Sequence, residues 1–188
     1  MNYSDIELIE SYFNGDENAF AEIVNRYFKS IYNFSFRLVG NTKDAEDITQ
    51  DVFVKVWKNI KKFDTSKNLK TWIFTIARNT CVDYLRKKKD IPISFFDTEE
   101  GGNYMEDTLQ DEGILADKAF DVFKDKKAVE KALNKISIIQ REVITLKYVN
   151  EMSLTEVSEI LNLSRETVKS HHRRALLKLR DILSAPKR

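Results

Sequence analysis

The chain has 188 residues, of which 42% are hydrophobic and 32% charged, with a formal net charge of +1. That composition provides for one ordinary packed core or two small ones beneath a charged surface, and five glycines with two prolines argue against strands joined by tight turns. No run of about twenty apolar residues occurs, the N-terminus lacks a signal peptide's basic start and apolar stretch, and the single cysteine, Cys81, excludes an internal disulfide and a multi-cysteine zinc site. A soluble, cytoplasmic protein without membrane insertion is expected.

Charge is distributed in three blocks. Residues 1–92 carry a net +2, residues 93–125 a net −8 and residues 126–188 a net +7. A basic block at one end and an acidic middle point to separate modules, the basic one facing a polyanion.

In chain order, Ser4-Asp5-Ile6-Glu7 has capping-box spacing and opens a helix carrying Ile9, Tyr12 and Phe13, stopped by Asn14-Gly15. A second helix starts near Asp16, continues through Ile23, Tyr27, Ile31 and Phe34 to Leu38, and ends at Gly40-Asn41. Thr42 is read as the cap of a third helix, Lys43 to about Ile60. Residues 63–68 form a polar loop, and a fourth helix runs from about Leu69 to Lys88, ended by Ile91-Pro92. Periodicity then collapses until helical signal returns at Lys126 and continues to Ile182. The fold class is all-α: two small helical domains, 1–92 and 126–188, joined by a flexible acidic linker, 93–125.

The sharpest local pattern spans Ser153–Leu179. Ser153-Leu154-Thr155-Glu156 is another capping-box start, and Val157, Ile160 and Leu161 form an apolar face. Asn162 falls where a left-handed residue is needed, Leu163 plugs the angle, and Ser164 caps the next helix. There Val168, Ala175, Leu176 and Leu179 point inward, while Arg165, Lys169, Ser170, Arg173 and Arg174 cover the outer surface. Such a pair of helices is a DNA-reading helix-turn-helix, whose second helix fits the major groove. His171 and His172 diverge by about 100° and have no third ligand, so no metal site is read there; His172 is placed partly inward and His171 outward.

The third helix carries Ala45, Ile48, Val52, Phe53, Val56, Trp57 and Ile60 over about half of its wheel, with Val54 outside that arc among Asp47, Gln50, Asp51 and Lys58. A helix of this kind packs inward and meets another protein outward. The fourth has an inner stripe of Leu69, Trp72, Ile73, Ile76, Ala77, Thr80 and Tyr84. Its outer side presents Lys70, Arg78, Asn79 and Asp83, leading into Arg86-Lys87-Lys88-Lys89. Polar groups feeding a cationic run fit contact with a nucleic acid.

Three stretches carry a family resemblance. Asp44-Ala45-Glu46-Asp47-Ile48-Thr49-Gln50-Asp51-Val52-Phe53 with Trp57 resembles the polymerase-binding segment of extracytoplasmic-function sigma factors, in the sigma-70 family. Trp72-Ile73-Phe74-Thr75-Ile76-Ala77-Arg78-Asn79 through Asp83-Tyr84-Leu85-Arg86 is similar to that family's promoter-melting and -10-reading helix. Ser153-Leu154-Thr155-Glu156-Val157 through Thr167-Val168-Lys169-Ser170, with Arg174-Ala175, looks like its -35-reading motif.

The resemblance implies a four-helix sigma domain 2 followed by a helix-turn-helix sigma domain 4, in a factor that takes core RNA polymerase to promoter DNA and needs no cofactor. By residue it implies clamp contacts from Asp47, Gln50, Asp51 and Phe53. It assigns the opened -10 strand to the loop with Asp64, Ser66 and Asn68, and to Arg78, Asn79, Asp83 and Arg86. It assigns the -35 duplex to Lys147, Arg165, Lys169, Ser170, Arg173 and Arg174. An anti-sigma factor is the family's usual further partner, and the acidic linker would run where RNA leaves polymerase. Arg is frequent in the family at the position of His171, an aliphatic residue at that of His172, and Gly at that of Asn162. The rival readings are a free-standing helix-turn-helix regulator and a purely protein-binding adaptor.

Overall fold

A computed structural model describes residues 3–89 and 126–184. The acidic linker and the stop at Ile91-Pro92 lie outside the described residues. Those residues form eight α-helices and no strand: α1 (Asp5–Phe13), α2 (Glu17–Val39), α3 (Thr42–Asn59), α4 (Leu69–Lys89), α5 (Lys126–Leu133), α6 (Ile138–Ile144), α7 (Leu154–Leu161) and α8 (Arg165–Ser184).

Local chemistry sets most of the ends. Ser4 and Glu7 close the capping box of α1, and Asp16 caps α2 by accepting from the Asn18 N–H. Gly40 ends α2 at φ 75°, a backbone conformation that glycine adopts without a Cβ penalty. The cap of α3 is Asn41, not Thr42: its Oδ1 accepts from the Asp44 N–H at 3.0 Å, and Thr42 is the first helical residue. Asn68 Oδ1 accepts from the Thr71 N–H at 3.0 Å and opens α4. The return of helix after the linker is broken once more than its periodicity indicates, because Ser137 and Gln140 form a further capping box that starts α6. After α6 the chain widens into a π turn, Thr145–Val149.

α1 is pinned to α2 by Asp5, which accepts from Arg26 at 2.6 Å and from the Tyr27 hydroxyl. Burial and that carboxylate push the Tyr27 hydroxyl up, so it stays protonated as a donor. Phe34 of α2 meets Phe74 of α4 edge to face, with centroids 5.5 Å apart and both side chains wholly buried.

The two halves do not keep separate cores. One contiguous cluster runs from Leu8 and Phe34 through Ile73, Phe74 and Ala77 to Val143, Met152, Ile160 and Val168. α4 is the shared element: α2 and α3 pack on it from the N-terminal half and α7 from the C-terminal half. Accordingly Thr71, Phe74, Cys81 and Leu85 are buried along with the predicted stripe members Leu69, Ile73, Ala77 and Thr80. A smaller cluster under α5, α6 and α8 is formed by Val129, Leu133, Ile136, Ile144, Ala175, Leu176 and Leu179. The helical units before and after the linker therefore meet across α4.

Cations bind oxygens along that seam. Lys70 Nζ donates to the Asn150 carbonyl at 2.6 Å, and Arg141 Nη1 reaches the Arg37 and Leu38 carbonyls at 3.3 and 3.5 Å. Arg78 Nε donates to Glu142 Oε1 at 3.3 Å, with the Glu142 side chain fully buried.

Two stability measurements check this packing. Phe74→Ala empties a wholly buried site, so denaturation of the full chain should show a loss of about 3–5 kcal/mol. Glu156, which accepts from the Ser153 N–H and Oγ at 2.8 and 2.7 Å, is held below the ordinary glutamate range by those bonds. Its contribution is complete above the unfolded value of about 4.3 and is lost as pH falls through the lowered folded value. The melting-temperature deficit of Glu156→Gln, about 4 °C or less at pH 7, should therefore shrink in acid.

Candidate polymerase and promoter interfaces

The exposed ridge of α3 is continuous. Asp47, Gln50 and Asp51 face solvent, and along the same side Val54 is 48% and Trp57 55% exposed. Phe28 of α2 is 45% exposed and its ring meets that of Phe53 on α3. Phe53 does not join this surface. It is 7% exposed and stacks on Phe28 with centroids 6.1 Å apart, in keeping with its place in the apolar arc of α3, whereas Trp57, placed in the same arc, faces solvent instead. Trp57 is one turn beyond Val54, which the sequence already put on the polar side, and that spacing was the available signal.

The loop before α4 is organised by its own side chains. Asp64 Oδ1 accepts from the Ser66 N–H and Oγ at 3.0 and 2.7 Å, which holds its carboxyl below the usual range. Asn68 is committed to capping α4, while Thr65, Ser66 and Lys67 stand exposed between them. Further along α4, Asn79, Asp83 and Arg86 face solvent, with Arg86 3.5 Å from Asp83. Arg78 is set apart from these three, its side chain 13% exposed and directed to Glu142. In the cationic run, Lys88 bonds Asp44 at 2.6 Å and the Tyr84 hydroxyl at 2.7 Å. That lysine ties α4 to the start of α3, and the Asp44 carboxylate raises its pKa.

The helix-turn-helix is formed by α7 and α8. Ser153 and Glu156 complete the capping box of α7, and Asn162 ends that helix at φ 54°. Asn reaches this left-handed conformation at modest cost, which is how the turn closes without glycine. Leu163 is half-buried against the core, and Ser164 Oγ accepts from the Thr167 N–H at 3.0 Å to start α8. Arg165 and Arg173 are exposed on α8, Lys169, Ser170 and Arg174 half-buried, and Lys169 lies 3.0 Å from Glu166. Lys147 is half-buried on the π turn.

Of the two histidines, His172 is partly inward as expected, but His171 does not face outward. His171 is 5% exposed and belongs to the inner face, because it falls three residues after Val168 and four before Ala175. His172 is half-buried, its Nε2 2.9 Å from the Tyr148 hydroxyl and its ring stacked on Tyr148 at 5.6 Å. The contact fastens α8 to the π turn that carries Lys147. Periodicity from Ala175 backwards would have found it, whereas counting forward from Val168 by four picked the flank.

Among the described residues, no helix is long and apolar enough to cross a membrane.

Comparison with known proteins agrees with this geometry. Residues 23–91 match the sigma-70 region 2 model and residues 132–181 the sigma-70 region 4 model. The chain is 37% identical to the ECF RNA polymerase sigma factor SigW of Bacillus subtilis over 89% of its own length and 92% of that protein's. It is 30% identical to the ECF RNA polymerase sigma factor SigK of Mycobacterium bovis over 89% and 87%. Among solved structures, the sigma factor RpoE of Bartonella quintana, determined with the anti-sigma factor NepR, superposes with a TM-score of 0.67 at 26% identity over 89% of this chain and 98% of that one. CnrH, determined with the cytosolic domain of CnrY, shares the fold at a TM-score of 0.70 and 23% identity over 97% and 99%. Two matched regions in order, with relatives similar over nearly the whole length, place this chain in the sigma-70 family, among the extracytoplasmic-function sigma factors that direct promoter-specific transcription initiation by RNA polymerase.

Proposed function

We propose that this chain binds core RNA polymerase through the exposed ridge of α3, reads duplex DNA at -35 with α8, and holds the opened -10 strand with α4 and the loop before it. Asp47, Gln50 and Asp51 supply polar contacts to the polymerase clamp, and Val54 and Trp57 supply the apolar anchor that Phe53, buried against Phe28, cannot. The observation that carries the reading is this ridge: a half-exposed tryptophan one turn from a half-exposed valine, bordered by acids, is surface that a partner protein buries.

Division of labour follows. α8 inserts its N-terminal turn into the major groove, where Arg165, Lys169 and Ser170 meet base edges or phosphates and Arg173, Arg174 and Lys147 meet phosphates. Asn79, Asp83 and Arg86, with Arg78 once released, contact the unpaired strand, and Ser66, framed by Asp64 and Asn68, lines the place for an unstacked base. Unstacking costs on the order of a few kcal/mol per step, so capture must recover a similar amount. Catalysis belongs to polymerase, and the site of action is the cytoplasm. The acidic segment 93–125 follows the RNA-exit region of polymerase, its carboxylates standing in for RNA phosphates. An anti-sigma partner is proposed on the strength of relatives solved with NepR and the cytosolic domain of CnrY.

Run-off transcription with purified core polymerase tests the whole: specific starts that require this chain are expected, and binding to promoter duplex without polymerase would favour the free-standing regulator. Trp57→Ala should reduce affinity for core at least about tenfold while leaving stability within about 0.5 kcal/mol, measured by titration and denaturation. Arg165→Ala with Lys169→Ala should lower -35-dependent initiation by at least about tenfold with core binding unchanged.

A further inference from the structure

The -35 assignment asks one residue to act from outside the helix-turn-helix. Arg165, Lys169, Ser170, Arg173 and Arg174 all stand on α8, whereas Lys147 stands on the π turn Thr145–Val149, before α7 begins. Phosphate contacts set the register of a protein on a duplex, so the cations that make them must hold fixed positions relative to the reading helix. A lysine on a separate turn meets that condition only if the turn is fastened to α8.

Backbone bonds alone do not fasten it. The Asn150 and Met152 N–H groups donate to the Thr145 and Leu146 carbonyls, both at 3.1 Å, and these bonds close the turn on itself. Glu151 follows at φ 56°, a left-handed conformation that a residue with a Cβ adopts at a cost. Backbone of this kind persists where its surroundings hold it. Lys147 is half-buried and within electrostatic reach of the first turn of α7: the Glu156 carboxyl, lowered chiefly by its Ser153 bonds, is lowered further by Lys70 and Lys147.

The link across to α8 is Tyr148. Its hydroxyl lies 2.9 Å from His172 Nε2, and its ring stacks on the imidazole with centroids 5.6 Å apart and planes at 21°. It also packs against the cluster that holds Ile144 and, from α8, Ala175 and Leu176. The residue next to Lys147 is thus bonded directly to the reading helix, between Lys169 and Arg173 in sequence. Stacked rings can slide over one another, whereas the hydrogen bond, being directional, ties one atom to the other.

We infer that Tyr148 and His172 are positioning residues for -35 binding: their hydrogen bond holds the π turn in register with α8, so that Lys147 meets a phosphate of the same duplex that α8 reads. The inference rests on the function proposed above. Neither residue touches DNA; both act through Lys147.

The test measures the affinity of the full chain, assembled with core polymerase, for a promoter duplex over a range of salt concentrations. Each phosphate contact contributes about 0.9 to the magnitude of the slope of log K against log salt. Tyr148→Phe keeps the ring and loses the hydroxyl. It should lower the slope by about 0.9 and the affinity about fivefold at physiological salt, with affinity for core unchanged. His172→Leu should do the same and carries the test if Tyr148→Phe fails to fold. His172→Gln, as uncharged as leucine but able to donate or accept through its amide, should retain the wild-type slope. Lys147→Ala should match Tyr148→Phe, and the two combined should cost no more than either alone.

A wild-type slope in Tyr148→Phe beside a lowered one in Lys147→Ala would overturn the inference. So would equal slopes in His172→Leu and His172→Gln, or additive losses in the double variant. A slope unmoved by Lys147→Ala would remove that lysine from the duplex and the inference with it. If Arg165→Ala with Lys169→Ala also left the slope unmoved, the -35 reading itself would fall.

Discussion

Burial of α4 on two sides is the constraint on which the rest of the structure depends. Ile73, Phe74 and Ala77 have no exposed surface, and the cluster they belong to extends from α1 to α8. One helix thus completes the core of the N-terminal unit, carries the groups assigned to the opened strand, and is the surface on which the C-terminal unit rests. Any change in how the units sit must uncover part of α4. The cost of uncovering it falls partly on polar groups that water can satisfy, because charged donors and buried Gln140, Glu142, Thr145 and Asn150 line α6 and the turn after it.

Much of the architecture was legible from the sequence because it is written in local chemistry. Capping boxes at Ser4 and Ser153, glycine after α2, and asparagine at the helix-turn-helix corner each satisfy or release backbone groups within a few residues of themselves. What the sequence left hidden depends on distant partners. Trp57 and Phe53 are both large and apolar and only four residues apart, and which one faces solvent is decided by Phe28 on another helix. His171 and His172 differ by one position, and the Tyr148 ring decides which of them lies at the flank. The second buried side of α4 had a trace in Phe74, Cys81 and Leu85, but a helix apolar on most of its circumference does not name what covers it.

The candidate surfaces were legible to a similar degree. Exposed Asp47, Gln50 and Asp51, the cations of α8 and the outer residues Asn79, Asp83 and Arg86 stand where helical periodicity puts them. Arg78 shares their spacing and differs in its environment, since an ion pair across the seam is a property of the folded chain and not of a motif.

A double-mutant cycle between Arg78→Met and Glu142→Gln tests the packing of the two units across α4 most directly, measured as stability of the full chain. The account predicts a coupling of at least about 1 kcal/mol, because Arg78 of α4 faces the fully buried Glu142 side chain across the seam. Additive effects of the two substitutions would contradict it.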